Sequence, residues 1–352
     1  MSNTPTLRCG ILGTGWLLGK YAETFRLIDT AALVGVASRD ADRARAAAAK
    51  WGIARAYAGY EALLNDPGID IVINALHNGL HCEWTIRALR AGKHVLCEKP
   101  LGCCADEVER MFVAAHAHKR WLMEGFMYRF HPQMAEAKRR VARGDIGRVL
   151  YIHSHRTTHG RERGNPRYWR DAGGGALLDV GCYNVNVSRM FAGSEPLRVA
   201  AHARFDPAPS GTNQQTGVDV TLCGTLEFAN GALAQFICSF EGELSFAVEL
   251  VGTEGRLQIP HPWLPPFWPT EFIVTRAGQS ETVRAEDATA PQHFLAPFAL
   301  ELQHFCRCIR DNVPPTFPPD SDAERDSRAN VRVLDALAAA ARNGLPVPVA
   351  PV

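Results

Sequence analysis

The fold is decided near the start of the chain, by residues 8–16, RCGILGTGW. The apolar run over residues 8–12 predicts a buried strand, and the amphipathic pattern that follows predicts a helix over about residues 16–28. Gly13 permits a tight turn between them, and Gly15 allows a pyrophosphate to approach the helix N-terminus. The alternative is an ordinary glycine-rich turn. The predicted nucleotide-binding turn comprises Gly13, Thr14, Gly15, Trp16 and Leu17.

The third position of this nucleotide-binding fingerprint departs from the usual pattern. Leu18 stands where a small residue is typical, and Gly19 follows it. Up to about residue 125, strand-like and helix-like segments alternate at the spacing of βαβ units, which indicates a parallel, doubly wound sheet. The sequence therefore predicts a Rossmann domain of α/β class over residues 1–125.

After residue 125 the pattern changes to long strand-like runs separated by turn signals. Asn230-Gly231, between two of these runs, is typical of a tight hairpin. Residues 126–352 are therefore predicted to form an α+β domain with a large, mostly antiparallel open sheet. We expect this domain to bind the substrate and to form a homodimer or homotetramer through the sheet.

Composition and charge exclude several classes of protein. A net charge of +1 over 352 residues gives no electrostatic basis for binding nucleic acid. No apolar run is long enough to span a membrane, and the first residues lack a signal-peptide pattern, so we expect a cytoplasmic protein with no membrane partner. No metal is expected, because the ten cysteines lack Cys-x-x-Cys spacing and His153, His155 and His159 have no further ligand nearby in sequence.

The end of the second predicted strand indicates which nucleotide binds. NAD-binding enzymes usually carry Asp or Glu there for the ribose hydroxyl, whereas this strand ends in Ser38-Arg39. A hydroxyl and a guanidinium suit a 2′-phosphate, and Arg43 lies one helical turn further on. We therefore expect NADP, and Asp40 beside Arg39 leaves NAD as the alternative cofactor.

Charged residues also follow a later predicted strand, in the sequence Glu98-Lys99-Pro100. Open α/β sheets bind their ligands at the carboxyl ends of the strands, so Glu98 and Lys99 are candidate cofactor contacts. His81 heads a helix near the same edge of the sheet and is a further candidate. The alternative for His81 is a helix-start residue with no catalytic duty.

A second polar motif lies in the glycine-rich stretch over residues 173–186, GGGALLDVGCYNVN. On a regular helix, Asp179, Tyr183 and Asn186 share one face of an otherwise apolar segment. Buried polar groups need partners, and a substrate would supply some of them. Arg167, in the loop before this stretch, is a further candidate on the substrate side.

Together these motifs resemble the glucose-fructose oxidoreductase / inositol dehydrogenase (Gfo/Idh/MocA) family over nearly the whole chain. Residues 124–132, EGFMYRFHP, and residues 252–255, GTEG, add to the resemblance. Many members carry His and Asp at the positions of Tyr183 and Asn186, so this chain is more similar to the glucose-fructose oxidoreductase, xylose dehydrogenase and dihydrodiol dehydrogenase branch. That branch implies Lys99 and Tyr183 as the catalytic pair. It also places Arg129 near cofactor or substrate, with an ion pair at the domain junction as the alternative.

The chemistry agrees with that implication. Oxidation of a carbinol needs a base for the hydroxyl proton, and a tyrosine pKa of about 10 is too high unless a neighbouring cation lowers it. We expect Tyr183 to be the general acid/base and Lys99 its electrostatic partner. Asp179 would bind substrate hydroxyls or orient Lys99. The candidate substrate contacts are Lys99, Arg167, Asp179, Tyr183 and Asn186.

These features predict an NADP-dependent dehydrogenase that oxidises an aldose or polyol. Three alternatives stay open at this point: an NADPH-dependent reductase of a carbonyl or anhydro sugar, a trans-dihydrodiol dehydrogenase, and a non-catalytic NADP-binding regulator. The last is disfavoured, because a sensor needs neither Lys99 nor Tyr183.

Overall fold

A computed structural model describes residues 6–158, 164–206, 217–264, 270–285, 290–318 and 321–352. Contacts divide the chain into two compact units. The first comprises Met1–Gly102, Asp106–Phe130 and Thr289–Arg325, and the second comprises Cys103–Ala105, His131–Ala288 and Asp326–Val352. This division differs from the predicted domains mainly at residues 289–325, which group with the N-terminal part. The domain boundary after residue 125 stays a prediction.

The first unit is built around a sheet of six parallel strands. The strands are β1 (Leu7–Leu12), β2 (Ala31–Ser38), β3 (Arg55–Ala58), β4 (Ile71–Asn74), β5 (His94–Glu98) and β6 (Leu122–Gly125). Their order is β3-β2-β1-β4-β5-β6. Since the direction of winding reverses between β1 and β4, ligands are expected at the carboxyl ends of these two strands. The predicted Rossmann sheet is confirmed.

Five helices connect these strands. They are α1 (Trp16–Thr24), α2 (Ala41–Trp51), α3 (Tyr60–Leu64), α4 (His81–Arg90) and α5 (Ala105–His118). The unusual Leu18-Gly19 pair has a packing explanation. Leu18 is buried, and a Cβ at Gly19 would lie 2.9 Å from the Trp51 indole, so Gly19 allows Trp51 to pack against α1. α1 also ends four residues earlier than the sequence predicted.

The second unit contains a mixed sheet of nine strands. The strands are β7 (Val149–Thr157), β8 (Pro196–Phe205), β9 (Asp219–Phe228), β10 (Leu233–Ser239), β11 (Ser245–Gly252), β12 (Gly255–Ile259), β13 (Thr270–Arg276), β14 (Gln279–Ala285) and β17 (Val347–Pro348). Their order is β14-β13-β12-β11-β7-β10-β9-β8-β17. β7 and β10 run parallel, whereas the other pairs of these described strands are antiparallel. The predicted, mostly antiparallel sheet is confirmed.

The remaining elements complete both units. The helices are α6 (Pro132–Ala142), α7 (Cys182–Ala192), α8 (Ala296–Asp311) and α9 (Ala323–Asn343). β15 (Thr316–Phe317) and β16 (Ser321–Asp322) pair as a separate ribbon in the first unit. Within the described residues, no helix is both long and apolar enough to cross a membrane.

Candidate active site

The glycine turn after β1 has the geometry of an anion site. Gly13 has a φ of +105°, which other residues rarely adopt, and an added Cβ there would lie 3.1 Å from the Ala75 carbonyl oxygen. Gly15 is the N-cap of α1 and provides no side-chain cap, while space for an added Cβ is open. The first N–H groups of α1 are therefore not covered by a capping side chain, and they suit a pyrophosphate.

The end of β2 separates the roles of neighbouring residues. The Asp40 carboxylate accepts hydrogen bonds from the backbone N–H groups of Asp42 and Arg43, at 2.9 and 3.1 Å, and caps α2. Its proximity to Arg39 in sequence is thus explained by helix capping. Arg39 and Arg43 are both exposed, and Ser38 is buried. A buried hydroxyl with two exposed guanidiniums fits a 2′-phosphate better than a bare ribose hydroxyl.

A cleft of about 540 Å³ adjoins the glycine turn and continues between α1 and α2. Thr14, Gly15, Trp16 and Arg43 line the part beside the predicted nucleotide contacts, and Lys50 lies in the same lining. Trp16 is largely exposed, and Leu17 is partly exposed. Thr14, Gly15, Trp16 and Arg43, four of the predicted nucleotide contacts, are therefore brought together in one cleft of the first unit.

Lys99 directly follows β5, and the Lys99–Pro100 peptide bond is cis. His81 is fully buried, with Nδ1 2.8 Å from the Pro100 carbonyl oxygen and Nε2 3.1 Å from the Leu76 carbonyl oxygen. Burial lowers the pKa of His81 to about 4, so the ring is neutral near pH 7. His81 thus holds the loop that carries Lys99. These contacts favour the helix-start role for His81, and its predicted contact with cofactor stays a prediction.

Buried acids lie beneath the Lys99 loop. Tyr21 donates a hydrogen bond of 2.9 Å to Glu98, and the Glu124 carboxylate accepts one of 2.8 Å from the Leu101 N–H. Glu301 is fully buried, and burial, reinforced by Glu98 and Glu124, raises its pKa well above its ordinary value. Glu98 therefore supports the loop from within the core, and its predicted cofactor contact stays a prediction. Sequence reasoning missed Tyr21 and Glu301 because neither belongs to a motif.

Arg129 is also enclosed in the first unit. It is 1% exposed, donates a hydrogen bond of 2.8 Å to the Ser321 hydroxyl and lies with its guanidinium carbon 4.9 Å from the Phe317 ring centroid. Arg129 therefore packs against the β15–β16 ribbon, and its predicted contact with cofactor stays a prediction.

The glycine-rich stretch of the second unit is not a regular helix. Leu177–Gly181 forms one π-helical turn, and α7 begins after it. The prediction that Asp179 and Tyr183 share a face assumed 3.6 residues per turn. That spacing does not hold across a π-helical turn, so the assumption was wrong. π-helical turns inside helices are frequent at functional sites.

Asp179 and Arg167 do come together. The buried Asp179 carboxylate accepts a hydrogen bond of 2.8 Å from Arg167 Nε, and the Arg167 side chain is about one-third exposed. Asn186 has a different environment from the predicted one. It is fully buried and donates a hydrogen bond of 2.8 Å to Asp326 of α9, which links two helices, and its predicted substrate contact stays a prediction.

Tyr183, in the first turn of α7, is 4% exposed. The guanidinium carbon of Arg156 lies 3.9 Å from its ring centroid, and the Trp263 ring lies 5.4 Å away. Arg156 comes from β7 and Trp263 from the loop after β12. Sequence reasoning missed both, because only the folded sheet and loop bring them to Tyr183.

No group of three potential ligands is arranged for a metal ion among the residues that the structure describes. His153 and His155 are neighbours on β7, with ring centroids 6.3 Å apart. His155 Nε2 lies 2.8 Å from the Ser245 hydroxyl. His159 lies outside the described residues.

Comparisons with known proteins match this architecture. An oxidoreductase family model with an NAD-binding Rossmann fold (Gfo/Idh/MocA) matches residues 7–126, and the C-terminal domain model of the family matches residues 134–258. The chain is 33% identical to D-xylose 1-dehydrogenase (NADP(+)) 2 of Haloferax volcanii, over 96% of this chain and 98% of that protein. It is 35% identical to trans-1,2-dihydrobenzene-1,2-diol dehydrogenase of Danio rerio, over 86% and 88%.

Among solved structures, KijD10 is similar throughout. This 3-ketoreductase from Actinomadura kijaniata, in complex with NADP and TDP-benzene, superposes with a TM-score of 0.85 at 28% identity, over 96% of this chain and 98% of that one. The two family models together match well over half of the sequence. The chain therefore belongs to the Gfo/Idh/MocA family of oxidoreductases and carries that family's NAD-binding Rossmann fold.

Proposed function

We propose that this oxidoreductase is an NADP-dependent sugar dehydrogenase, which oxidises a carbinol of an aldose or polyol. The environment of Tyr183 carries the proposal most strongly. Burial by itself disfavours a phenolate, but the guanidinium stacked on the Tyr183 ring opposes that cost by attracting the negative charge of the deprotonated form. That is the property required of a base that takes a hydroxyl proton near neutral pH.

The proposed roles follow from the two environments. The phenolic oxygen of Tyr183 accepts the proton of the substrate hydroxyl. Lys99 stabilises the negative charge that develops on the substrate oxygen as this proton leaves. The Asp179–Arg167 pair, buried at one end and partly exposed at the other, binds neighbouring hydroxyl groups of the sugar. NADP, when bound, supplies the hydride acceptor.

The residues of the first unit fit NADP. The uncapped N-terminus of α1 would hold the pyrophosphate, and Ser38, Arg39 and Arg43 would hold the 2′-phosphate. Asp40 offers little to a ribose hydroxyl because its carboxylate already caps α2. A xylose dehydrogenase named for NADP among the relatives supports the same assignment.

A reductase is the second candidate, and the similarity to a 3-ketoreductase favours it. The same groups serve in reverse, with Tyr183 donating its proton to the oxygen of a carbonyl sugar. We also propose a homodimer or homotetramer formed through the open face of the second unit's sheet. Tyr151 and Leu233 are paired across β7 and β10 and are both exposed there, as is Leu197 on β8.

The test is to follow absorbance of reduced nicotinamide with NADP or NAD against a panel of aldoses, inositols and diols. Reduction of NADP by an aldose or polyol is the expected result. Activity confined to oxidation of NADPH by keto or anhydro sugars would replace the dehydrogenase with the reductase. Tight NADPH binding with no turnover in either direction would contradict both and leave a regulator.

A further inference from the structure

Arg156 lies beside Tyr183 and has no role in the proposed mechanism. It lies on β7 opposite Cys238 of β10 and Phe246 of β11. Its guanidinium carbon is 3.9 Å from the Tyr183 ring centroid and 5.8 Å from that of Trp263. The two aromatic rings are themselves 5.4 Å apart and inclined by 53°. Arg156, Tyr183 and Trp263 thus form one cation–aromatic cluster inside the second unit.

The charge of Arg156 is not neutralised within the described part of the chain. Its Nη1 atom is buried and has no hydrogen-bond partner there, and no acidic side chain in those ranges forms an ion pair with it. Arg156 as a whole is only partly buried, but a cation without a counter-ion acts more strongly on a neighbour that is shielded from water than it would in bulk solvent. The rings of Tyr183 and Trp263 lie next to the guanidinium, and of these two side chains only Tyr183 can ionise.

Other ionisable groups also lie around α7. The Asp219 carboxylate of β9 accepts a hydrogen bond of 2.6 Å from the Leu177 N–H in the turn before α7, and burial raises the pKa of Asp219 to about 6. Because Asp219 is present in wild type and variants alike, the effect of Arg156 is the difference between their pH profiles. Asp179 is paired with Arg167, and Asp326 of α9 is paired with Arg189. From β10, Cys238 faces this region as a buried thiol, and burial raises its pKa well above the ordinary value, so it carries no charge near neutral pH. His261 lies in the loop that also holds Trp263 and packs its ring on Phe246.

We infer that Arg156 is a positioning residue for Tyr183, which holds the phenol ring by stacking and favours its phenolate form. The inference depends on the proposed role of Tyr183 as the acid/base. Attraction between a guanidinium and an aromatic face increases when the ring gains a negative charge, so the cluster stabilises the deprotonated form more than the neutral one. No further reactant is needed, because Arg156 only stabilises the state in which Tyr183 has given up its proton.

The experiment compares Arg156→Met and Arg156→Lys with the wild-type enzyme across a pH series of kcat/KM, using NADP and the best sugar of the panel. A charge at this distance typically shifts a pKa by about one to three units. We therefore expect the acid limb of the Arg156→Met profile to move upward by about one unit or more, with the KM for NADP unchanged. Arg156→Lys keeps the positive charge, so its acid limb is expected to lie close to that of the wild type. Arg198→Met, on the exposed part of β8, is the matched control and should leave the profile in place.

A uniform loss of rate with an unmoved acid limb would overturn the inference, since a merely structural role gives that result. A second readout needs neither turnover nor the Met variant. Phenolate absorbance of Tyr183, obtained as the difference between a protein and its Tyr183→Phe derivative, is titrated in wild-type and Arg156→Gln backgrounds, since glutamine removes the charge. Equal titration midpoints would contradict the inference even if the proposed activity is correct, and a higher midpoint in the variant would support it even if no sugar is turned over.

Discussion

The surroundings of Lys99 and Tyr183 are built in different ways. The loop that carries Lys99 is held largely through its backbone, by His81 at the Pro100 carbonyl and by Glu124 at the Leu101 N–H. Tyr183 is held through side chains, with Arg156 on its ring and Trp263 beside it. The contacts at the Lys99 loop are made to its backbone and position it, whereas the cation at Tyr183 lies on the ring of the ionisable group itself and acts on the negative charge of its phenolate.

This difference suggests a division of labour between the two units. The first unit carries the features of nucleotide binding, and the second carries the Tyr183 phenol with the Arg156 guanidinium on its ring. Changes at the nucleotide residues should alter affinity for NADP. Changes around Tyr183 should alter turnover and its pH dependence at constant NADP affinity.

Lys99 is the first-unit residue expected to break this division, and Lys99→Met should have the largest effect. Loss of the ammonium removes stabilisation of the charge that develops on the substrate oxygen, and kcat should fall by about 10²- to 10⁴-fold. Steady-state kinetics with saturating NADP measure the change. The exposed Lys119→Met is the control. A decrease of less than tenfold would exclude Lys99 from the chemistry.

Arg39→Gln should have the next largest effect, and this effect should be confined to the affinity for the nucleotide. A hydrogen bond to a charged phosphate contributes about 1.5–3 kcal/mol, so the KM for NADP should rise by roughly 10- to 100-fold while kcat is retained. The KM for NAD, which has no 2′-phosphate, should stay constant. Arg45→Gln, on the exposed surface of α2, serves as control. An unchanged KM for NADP would show that Arg39 does not contact the phosphate.

Glu301→Met should have the smallest effect and acts on stability alone. Neither oxygen of the buried Glu301 carboxyl has a hydrogen-bond partner in the described ranges, and removing such a group stabilises a protein by about 1–3 kcal/mol. Burial raises the pKa of Glu301 in the folded state, so folding binds a proton that the unfolded chain has lost. The wild-type protein therefore loses stability as the pH rises above the ordinary glutamate pKa, and the advantage of Glu301→Met should grow with pH.

Urea unfolding at several pH values measures this trend. Glu301→Gln is the matched control, because it keeps the shape but removes the titration, and its stability should depend less on pH than that of the wild type. If wild type and both variants show the same pH dependence, Glu301 is not a neutral acid in the folded protein.

The parts of the fold that were predicted are those encoded by neighbouring residues. The glycine turn and the strand before Lys99 are local patterns, so they located the turn between β1 and α1 and the end of β5 correctly. The π-helical turn at Leu177–Gly181 was missed because helical periodicity assumes a constant 3.6 residues per turn. Residues 289–325 were assigned to the second domain because sequence order does not reveal which unit a returning segment packs against.

The candidate site shows the same contrast. Lys99 and Tyr183 stand in motifs, and the sequence therefore named them. Arg156 and Trp263 reach Tyr183 only through the pairing of β7 with its neighbours and the course of a distant loop. Glu301 is buried beneath the Lys99 loop by the packing of α8, where Phe298 meets Tyr21 with ring centroids 5.7 Å apart. Such contacts depend on tertiary structure and leave no local signal.

The most direct test of the account is Tyr183→Phe, measured for turnover and for NADPH binding in the same preparation. The variant removes one hydroxyl from a buried side chain and leaves the ring to pack on Arg156 and Trp263. We predict that kcat falls by about 10²- to 10⁴-fold while the Kd for NADPH, followed by nicotinamide fluorescence, stays within twofold of wild type, because proton transfer is lost and nucleotide binding is not. Turnover equal to that of the wild type would contradict the central claim that Tyr183 is the acid/base.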